Sequence, residues 1–341
     1  MTYFRFQIFI FSTFLLSSST ITAKPQNTDS QNSRNVYAFN TLNLNPLVQI
    51  FGLPSLSNQL IGKQGTVELE LEQQIANYYS QTTLPSEAVK LDGETWRTSL
   101  NAHYALSNRS QISLSIPYLR HSAGHLDSLI YNWHDTFGLP QNSRAKETND
   151  KIDIQYLKNN EHIIYQQQTT SGIGDIRIKY AYSLPLYGRE WVLQSEIKLP
   201  TGSVDDFTGS EGTDLSLGLI INDTKTLNTQ NISFWYGGAA SYLENANSPL
   251  SEDQNNAVFS GRAGLGWLAN ESITLKTQLD AHSAVYNSDT PELGDPAIML
   301  TIGGDIHFLS RYRLELSGVE DIMTNTSPDI IFTAKLTAHF E

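Results

Sequence analysis

The sequence predicts an all-β protein: a transmembrane antiparallel β-barrel of about 12 strands, with one long extracellular loop that contains a short helix. Two observations predict it. Successive segments alternate apolar and polar residues, and the connectors between them are short and long in turn. Side chains along a strand point to opposite faces, so each segment offers one apolar face to lipid and one polar face to a lumen. The sheet must close, because lipid cannot hydrogen-bond with an open edge.

The last segment shows the alternation clearly. Its apolar face carries Phe332, Ala334, Leu336, Ala338 and Phe340, and its polar face carries Thr333, Lys335, Thr337 and His339. The same pattern predicts the other strands near 66–76, 96–106, 110–121, 174–184, 190–200, 213–222, 231–242, 257–268, 273–282, 297–309 and 312–320.

The connectors predict which end of the barrel faces which side of the membrane. The short set comprises 107–109, 185–189, 223–230, 269–271 and 310–311. The long set comprises 78–93, 122–172, 201–212, 243–256, 287–296 and 321–329. Short turns face the periplasm in outer-membrane barrels, and long loops face outwards. Both ends of the chain are therefore expected in the periplasm.

Three regions are predicted along the chain. Residues 1–23 are typical of a signal peptide, with Arg5 before an apolar stretch and a cleavage site after Ala23. Residues 24–63 form an N-terminal segment, and 64–341 form the barrel. Within the segment, 39–54 is apolar without a clean period, so a plug in the lumen and a path along the periplasmic rim both remain open. The predicted location is the outer membrane of a Gram-negative cell.

Composition narrows the chemistry and the partners. The chain has no cysteine and a net charge of −13, which excludes cysteine-based chemistry and argues against binding nucleic acid. No cofactor, metal site or catalytic residue is predicted. The expected partners are outer-membrane lipid, lipopolysaccharide and the barrel-assembly machinery, whose signal the near-terminal Phe340 resembles. A small-molecule solute is a further expected partner, and the barrel is expected to be a monomer.

The alternation also identifies inward-facing charges. Eight are candidate pore-lining residues: Arg97, Arg177, Lys179, Arg262, Glu70, Glu196, Asp280 and Asp305. Positive and negative groups nearly balance along the predicted lumen. They could pair across a narrow interior and fill it, or they could leave a pore with charged walls.

The third connector holds an unusual cluster at 126–139, where apolar residues recur at helical spacing. A short helix there would fold over the barrel mouth. The candidate lid residues are Asp127, Trp133, His134, Asp135 and Phe137. A structural lid and a lipid- or substrate-binding role are both open. His134 with an aspartate and Ser122 or Ser128 could be drawn as a hydrolase triad, but no nucleophile motif is present.

Several stretches resemble the proteobacterial family catalogued as domain of unknown function 3187. They are NPLVQIFGLP (45–54), IPYLRHSAGHLD (116–127), NWHDTFGLP (132–140), GIGDIRIKY (172–180), KLPTG (198–202) and GSEGTDLSL (209–217). The resemblance covers nearly the whole mature chain and implies no activity. Residues 172–202 are also similar, more weakly, to barrels associated with uptake of aromatic compounds.

Together these features favour a passive or gated channel for a small solute. The alternative is a closed barrel that acts as a surface binding or structural protein. A third hypothesis is a lipid-modifying enzyme of the outer membrane, a hydrolase or acyltransferase that would depend on His134.

Overall fold

The computed structural model describes residues 36–58, 62–126, 151–245, 248–309, 311–323 and 325–341. The strands are β1 (Val67–Thr83), β2 (Glu87–Ser107), β3 (Ser110–Ser122), β4 (Asp153–Lys158), β5 (Glu161–Gln166), β6 (Thr170–Ile173), β7 (Arg177–Leu186), β8 (Arg189–Lys198), β9 (Asp214–Leu227), β10 (Ile232–Tyr242), β11 (Ala257–Leu268), β12 (Ile273–His282), β13 (Ala297–Phe308), β14 (Tyr312–Asp321) and β15 (Ile330–Phe340). A one-turn helix, α1, spans Pro291–Gly294, and 3-10 turns span Asn228–Gln230 and Ser251–Asp253. Within these residues, no helix is both long and apolar enough to cross a membrane.

Twelve of the strands form one closed antiparallel barrel, which confirms the predicted fold class. Each strand pairs with the next along the chain, except that β3 pairs with β7 across the third connector. The first and last strands then pair with each other, from Val67 opposite Phe340 to Asn77 opposite Ile330. The closed barrel therefore has no unpaired sheet edge along its wall.

The two faces of the wall differ as the alternation predicts. Outward apolar side chains stay uncovered by protein: Leu100 is 61% exposed and Leu217 is 65% exposed. The inward Ser99, next to Leu100, is 0% exposed. Outward aromatics lie near the end that carries the short turns, called here the short-turn end, where Phe308 stacks on Tyr312 with ring centroids 5.6 Å apart. These features are typical of a barrel that faces lipid.

The short-turn end is made of tight hairpins. Between β7 and β8 the turn is only Tyr187 and Gly188, shorter than the predicted 185–189, and both residues have positive φ, 51° and 77°. Such a two-residue turn matches the twist of paired strands, and glycine adopts its second position without strain.

Two long connectors differ from the prediction. The prediction of a loop at 78–93 was wrong, because β1 and β2 stay paired as far as Thr83 and Ala88 and extend beyond the opposite, long-loop end. In the third connector, β4 pairs with the extended part of β2, β5 pairs with β4, and β6 pairs with β3. Apolar residues from these extensions pack together at the barrel mouth, so the simple lipid and lumen alternation no longer applies there. The predicted short helix falls mostly on residues 127–150, outside the described residues.

Residues 36–58, called here the lumenal segment, run inside the ring of strands. At the long-loop end they turn at Asn45 and Pro46, where the carbonyl of Asn45 accepts hydrogen bonds from the amides of Val48 and Gln49 at 2.9 Å. The Asn45 side chain also accepts a bond from the Leu47 amide, as Asn does at the start of a helical turn. The two ends of the segment are held together by Asn58, whose side chain bonds with the backbone of Val36 and Ala38. The segment therefore runs along the lumen to the long-loop end, turns there and runs back, as in a hairpin.

We predict that Leu100→Arg lowers the free energy of unfolding by about 2–4 kcal/mol, because it places a charge on the lipid face near mid-membrane. Leu106→Arg is the matched control, since Leu106 lies on the same face of β2 at the short-turn end. Its cost should be at most about 1 kcal/mol. Denaturant unfolding in lipid vesicles measures both, and equal costs for the two variants would contradict the assigned lipid face.

Candidate functional site

The structure places all eight candidate pore-lining residues on the inner face. Six are buried: Glu70, Arg97, Glu196, Arg262, Asp280 and Asp305. Arg177 and Lys179 are partly buried, with side chains 11% and 18% exposed. Each of the eight has an oppositely charged neighbour: Arg177 and Lys179 lie 3.4 and 3.3 Å from Glu196, and Arg262 lies 2.6 Å from Asp280.

These charges pair along the wall rather than across the lumen. The partners of Arg262 and Lys179 are the residues directly opposite them on the next strand. One chain of contacts runs from Asp305 to Lys276 at 3.0 Å, from Lys276 to Glu315 at 2.6 Å, and from Glu315 to Lys335 at 3.2 Å. Opposite residues on paired strands lie about 5 Å apart, which suits an ion pair better than a gap across a barrel.

Several of the same cations also hold the lumenal segment. Arg177 donates to the carbonyls of Phe51 and Leu53 at 2.9 Å, and Lys179 donates to that of Ser55 at 2.7 Å. On the opposite wall, Lys276 donates to the Tyr37 carbonyl at 3.0 Å. Further bonds join Arg262 to the carbonyls of Leu56 and Thr41, Gln278 to Phe39, and Gln194 to Ser57. Wall side chains thus satisfy much of the segment's backbone.

One buried cluster brings together four of the stretches that carry the family resemblance. Lys198, 1% exposed, donates to Asp175 at 2.5 Å and lies 3.3 Å from Asp214. Asp214 in turn accepts the amide of Gly52 at 2.7 Å, while Asp175 accepts the amide of Gly202. This cluster ties the turn of the lumenal segment, the strand starts and the 201–213 loop to one another.

One glycine in that cluster lies so close to a neighbouring side chain that its backbone leaves no room for a Cβ atom. A Cβ added to Gly209 would lie 2.3 Å from the Asp175 carboxylate, too close for any side chain. The contacts of Lys198 with Asp175 and Asp214, and of Asp214 with Gly52, have no local sequence signal, because these residues come from separate stretches.

An apolar cluster closes the long-loop end; we call it the loop-end cluster. The lumenal segment contributes Leu47, Val48, Ile50 and Phe51. The described part of the third connector contributes Ile154, Tyr156 and Ile164, and further members come from the other long connectors and strand ends. Phe51 packs edge-on against Tyr286, with ring centroids 5.7 Å apart.

Tyr286 also holds the segment by a hydrogen bond. Its hydroxyl donates to the Leu47 carbonyl at 2.7 Å. Burial raises the pKa of this hydroxyl above that of free tyrosine, so it stays protonated and remains a donor.

Small cavities lie beside the lumenal segment. One of about 90 Å³, called here the β3 cavity, lies between the segment and the wall formed by β1, β2, β3, β7, β8 and β15. It exists because β3 contributes only Gln111, Ser113 and Ser115 to the inner face there. Cavities of about 40 and 20 Å³ lie beside the segment farther along. Arg97 and Arg177 line both the β3 cavity and the smallest one.

The candidate lid residues Asp127, Trp133, His134, Asp135 and Phe137 lie outside the described residues, so their role stays a prediction. Among described residues, no group of three or more acidic or histidine side chains is arranged to hold a metal ion. Asp214, part of the acidic 205–214 region, is bound to Lys198 and the amide of Gly52 instead.

A closed antiparallel barrel with a lipid-facing apolar band and a charged interior defines the class of outer-membrane β-barrel proteins. The sequence profile of the family of unknown function DUF3187 matches residues 13–340. The chain belongs to this family, as the sequence motifs predicted.

The same architecture occurs in a solved structure. An outer-membrane channel from Pseudomonas putida F1 is 12% identical, with a TM-score of 0.55 over 85% of this chain and 98% of that one. This likeness shows the fold alone. The NanC porin aligns at 10% identity and TM-score 0.44, over 80% of this chain and 99% of that one. The toluene transporter TbuX from Ralstonia pickettii aligns at 8% identity and TM-score 0.38, over 81% and 89%. No curated protein matches the chain.

We predict that Lys276→Met lowers the free energy of unfolding by about 3–5 kcal/mol, since Asp305 and Glu315 would lose a buried cation. Lys63→Met is the control, because Lys63 pairs with Glu341 at 3.1 Å with both side chains largely exposed. Its cost should be below about 1 kcal/mol. Denaturant unfolding compares them, and an equal, small effect would show that the Lys276 pairs contribute little.

Proposed function

We propose that this protein is a gated channel for a small polar solute, and that the lumenal segment is its gate. One observation carries the proposal: residues 36–58 occupy the lumen as a separate stretch of chain, held to the wall by many side-chain hydrogen bonds to its backbone. Such bonds can be exchanged for bonds with water, one by one. The wall keeps its own interstrand pairs when the segment shifts.

Two features support a path along one side of the lumen. The β3 cavity is lined by charged and hydroxyl side chains, which suit a polar solute, and it lies next to the segment rather than behind the wall. At the long-loop end, Leu47 and Phe51 of the segment sit in the loop-end cluster. Displacing the segment would therefore enlarge the cavity and loosen the closed mouth together.

The alternative of a closed barrel rests on the small volume of the described cavities and on the buried loop-end cluster. It differs from the proposal in one respect: the lumenal segment would then be a permanent core of the barrel. A reversible covalent link between the segment and the wall distinguishes the two hypotheses.

We predict that a disulfide between the segment and the wall abolishes conductance reversibly. The hydroxyl oxygens of Thr41 and Thr301 lie 2.8 Å apart, one on the segment and one on β13, so Thr41→Cys with Thr301→Cys places two thiols within bonding reach. The chain has no other cysteine. Single-channel recording in planar bilayers should show steps in the reduced variant and none after oxidation.

The matched control ties the wall to itself. Ser107 and Ser110 lie 2.7 Å apart across the β2–β3 turn, so Ser107→Cys with Ser110→Cys forms a disulfide that leaves the segment free. It should conduct equally in both redox states. Equal conductance of the locked variant in both states would overturn the gate. Silence in both states from folded protein would favour the closed barrel.

A further inference from the structure

The charges around the β3 cavity do not match those of the chain as a whole. Its lining includes Arg97, Arg177, Lys179 and Lys335 against only Glu70 and Glu196, so four cations minus two carboxylates leave +2. Three charged partners lie just outside the lining: Glu72 at 4.0 Å from Arg97, Glu315 at 3.2 Å from Lys335 and Arg313 at 3.5 Å from Glu70. Two carboxylates and one cation bring the sum to +1. His103 also lines the cavity and adds charge only when protonated. The whole chain, in contrast, carries −13.

Two arginines in this cavity are held mainly by neutral acceptors. Arg97 donates to the neutral side chains of Gln74 and Ser99, and in the described part of the chain the one carboxylate paired with it is Glu72, at 4.0 Å. The buried Nε of Arg177 has no hydrogen-bond acceptor among the described residues. A guanidinium group presents several N–H donors in a planar fork, and a carboxylate is the partner that matches this fork.

Opening of the gate would leave more cationic N–H groups free to bind an anion. In the closed arrangement, some N–H groups of Arg177 and Lys179 donate hydrogen bonds to the carbonyls of Phe51, Leu53 and Ser55. Movement of the lumenal segment would free those donors, while Glu196 remains the one carboxylate paired with Arg177 and Lys179 among the described residues. The path would become more favourable for an anion at the moment it opens.

We propose that the β3 cavity is an anion site and that the channel selects small carboxylates over cations. This rests on the proposed channel function and specifies its solute class. At about 90 Å³ the cavity has several times the roughly 10–15 Å³ that one water molecule needs, so a carboxylate of a few heavy atoms suits it before the gate moves. Lys179 and Lys335 lie on the same lining and repel a competing cation.

The test is the reversal potential in planar bilayers under a tenfold gradient of potassium acetate. Wild-type protein should pass acetate in preference to potassium. Arg97→Gln should lower the acetate-to-potassium permeability ratio roughly threefold or more, because one unit charge near the ion path is removed. The permeability ratio is the readout rather than the number of openings, because Arg97 contacts Gln74 and Glu72, which both bond to Asn40 of the lumenal segment.

Two controls separate charge from folding. Arg97→Lys keeps the charge and should keep the preference for acetate. Arg189→Gln removes the same charge at the short-turn end, from a partly exposed side chain that pairs with Asp223 at 2.8 Å, and should leave selectivity as in wild type. Steps without preference for acetate, or an unchanged ratio in Arg97→Gln, would overturn the anion site and leave the channel standing.

Binding gives a readout that needs no current. Acetate should raise the melting temperature of the detergent-solubilised protein in a concentration-dependent way at fixed ionic strength, whereas acetamide, its neutral analogue of the same shape, should not. The rise should be smaller in Arg97→Gln. Protein that gives no channel steps but binds acetate would refute the channel and keep the anion site, and equal responses to acetate and acetamide would refute the anion site.

Discussion

The pairing of β1 with β15 is the constraint on which the rest of the structure depends. Lipid offers no hydrogen-bond partners, so the backbone of a spanning sheet must satisfy itself, and it does so only as a closed ring. Closure fixes the direction of every side chain on the wall. Once Glu72 lies opposite Lys335, each even-numbered neighbour on β1 and its odd-numbered partner on β15 must also face the lumen. The charged interior is therefore a consequence of closing the sheet, and its charges must be neutralised by further contacts inside the barrel.

The charges and the volume of the interior are accommodated in two ways. Cations and carboxylates on adjacent strands neutralise one another along the wall, as Lys276 does with Asp305 and Glu315. The remaining volume holds a stretch of backbone, whose carbonyls accept from wall cations such as Arg177 and Lys179. Backbone is a suitable filler for a polar lumen, because it offers acceptors without adding charge. The side lined by the serines of β3 is filled least, and there the balance of charge is locally positive.

Periodicity made the wall predictable from sequence, and it could not reveal what fills the lumen. Alternation of the kind seen at 332–340 was enough to predict the number of strands and the inward position of Arg262 and Asp280. It could not show that these two residues pair with each other, because register depends on turns as short as Tyr187 and Gly188. It failed at 78–93, where extended strands beyond the membrane bury residues such as Tyr78 and Val89 against loops.

The position of the lumenal segment was harder still to predict from the sequence. Its residues follow no strand period because they face wall on several sides, and the sequence left a plug and a rim path equally open. Its contacts are also remote in the chain: the bond between Phe39 and Gln278 spans 239 residues. Local patterns carry no information about such pairs, whereas the cluster at Lys198 shows that separate motifs meet there in three dimensions.

Those remote contacts set an order of events for the maturing protein. The lumenal segment leaves the ribosome before any strand, yet its partners on β8, β11, β12 and β13 are made much later. Long-range contacts form slowly because a large loop must be closed first. The segment therefore remains without its partners through most of synthesis and export, and gains them only in a nearly finished ring. A filled lumen thus marks a completed barrel, and a chain truncated before β12 would expose this apolar stretch to periplasmic chaperones and proteases.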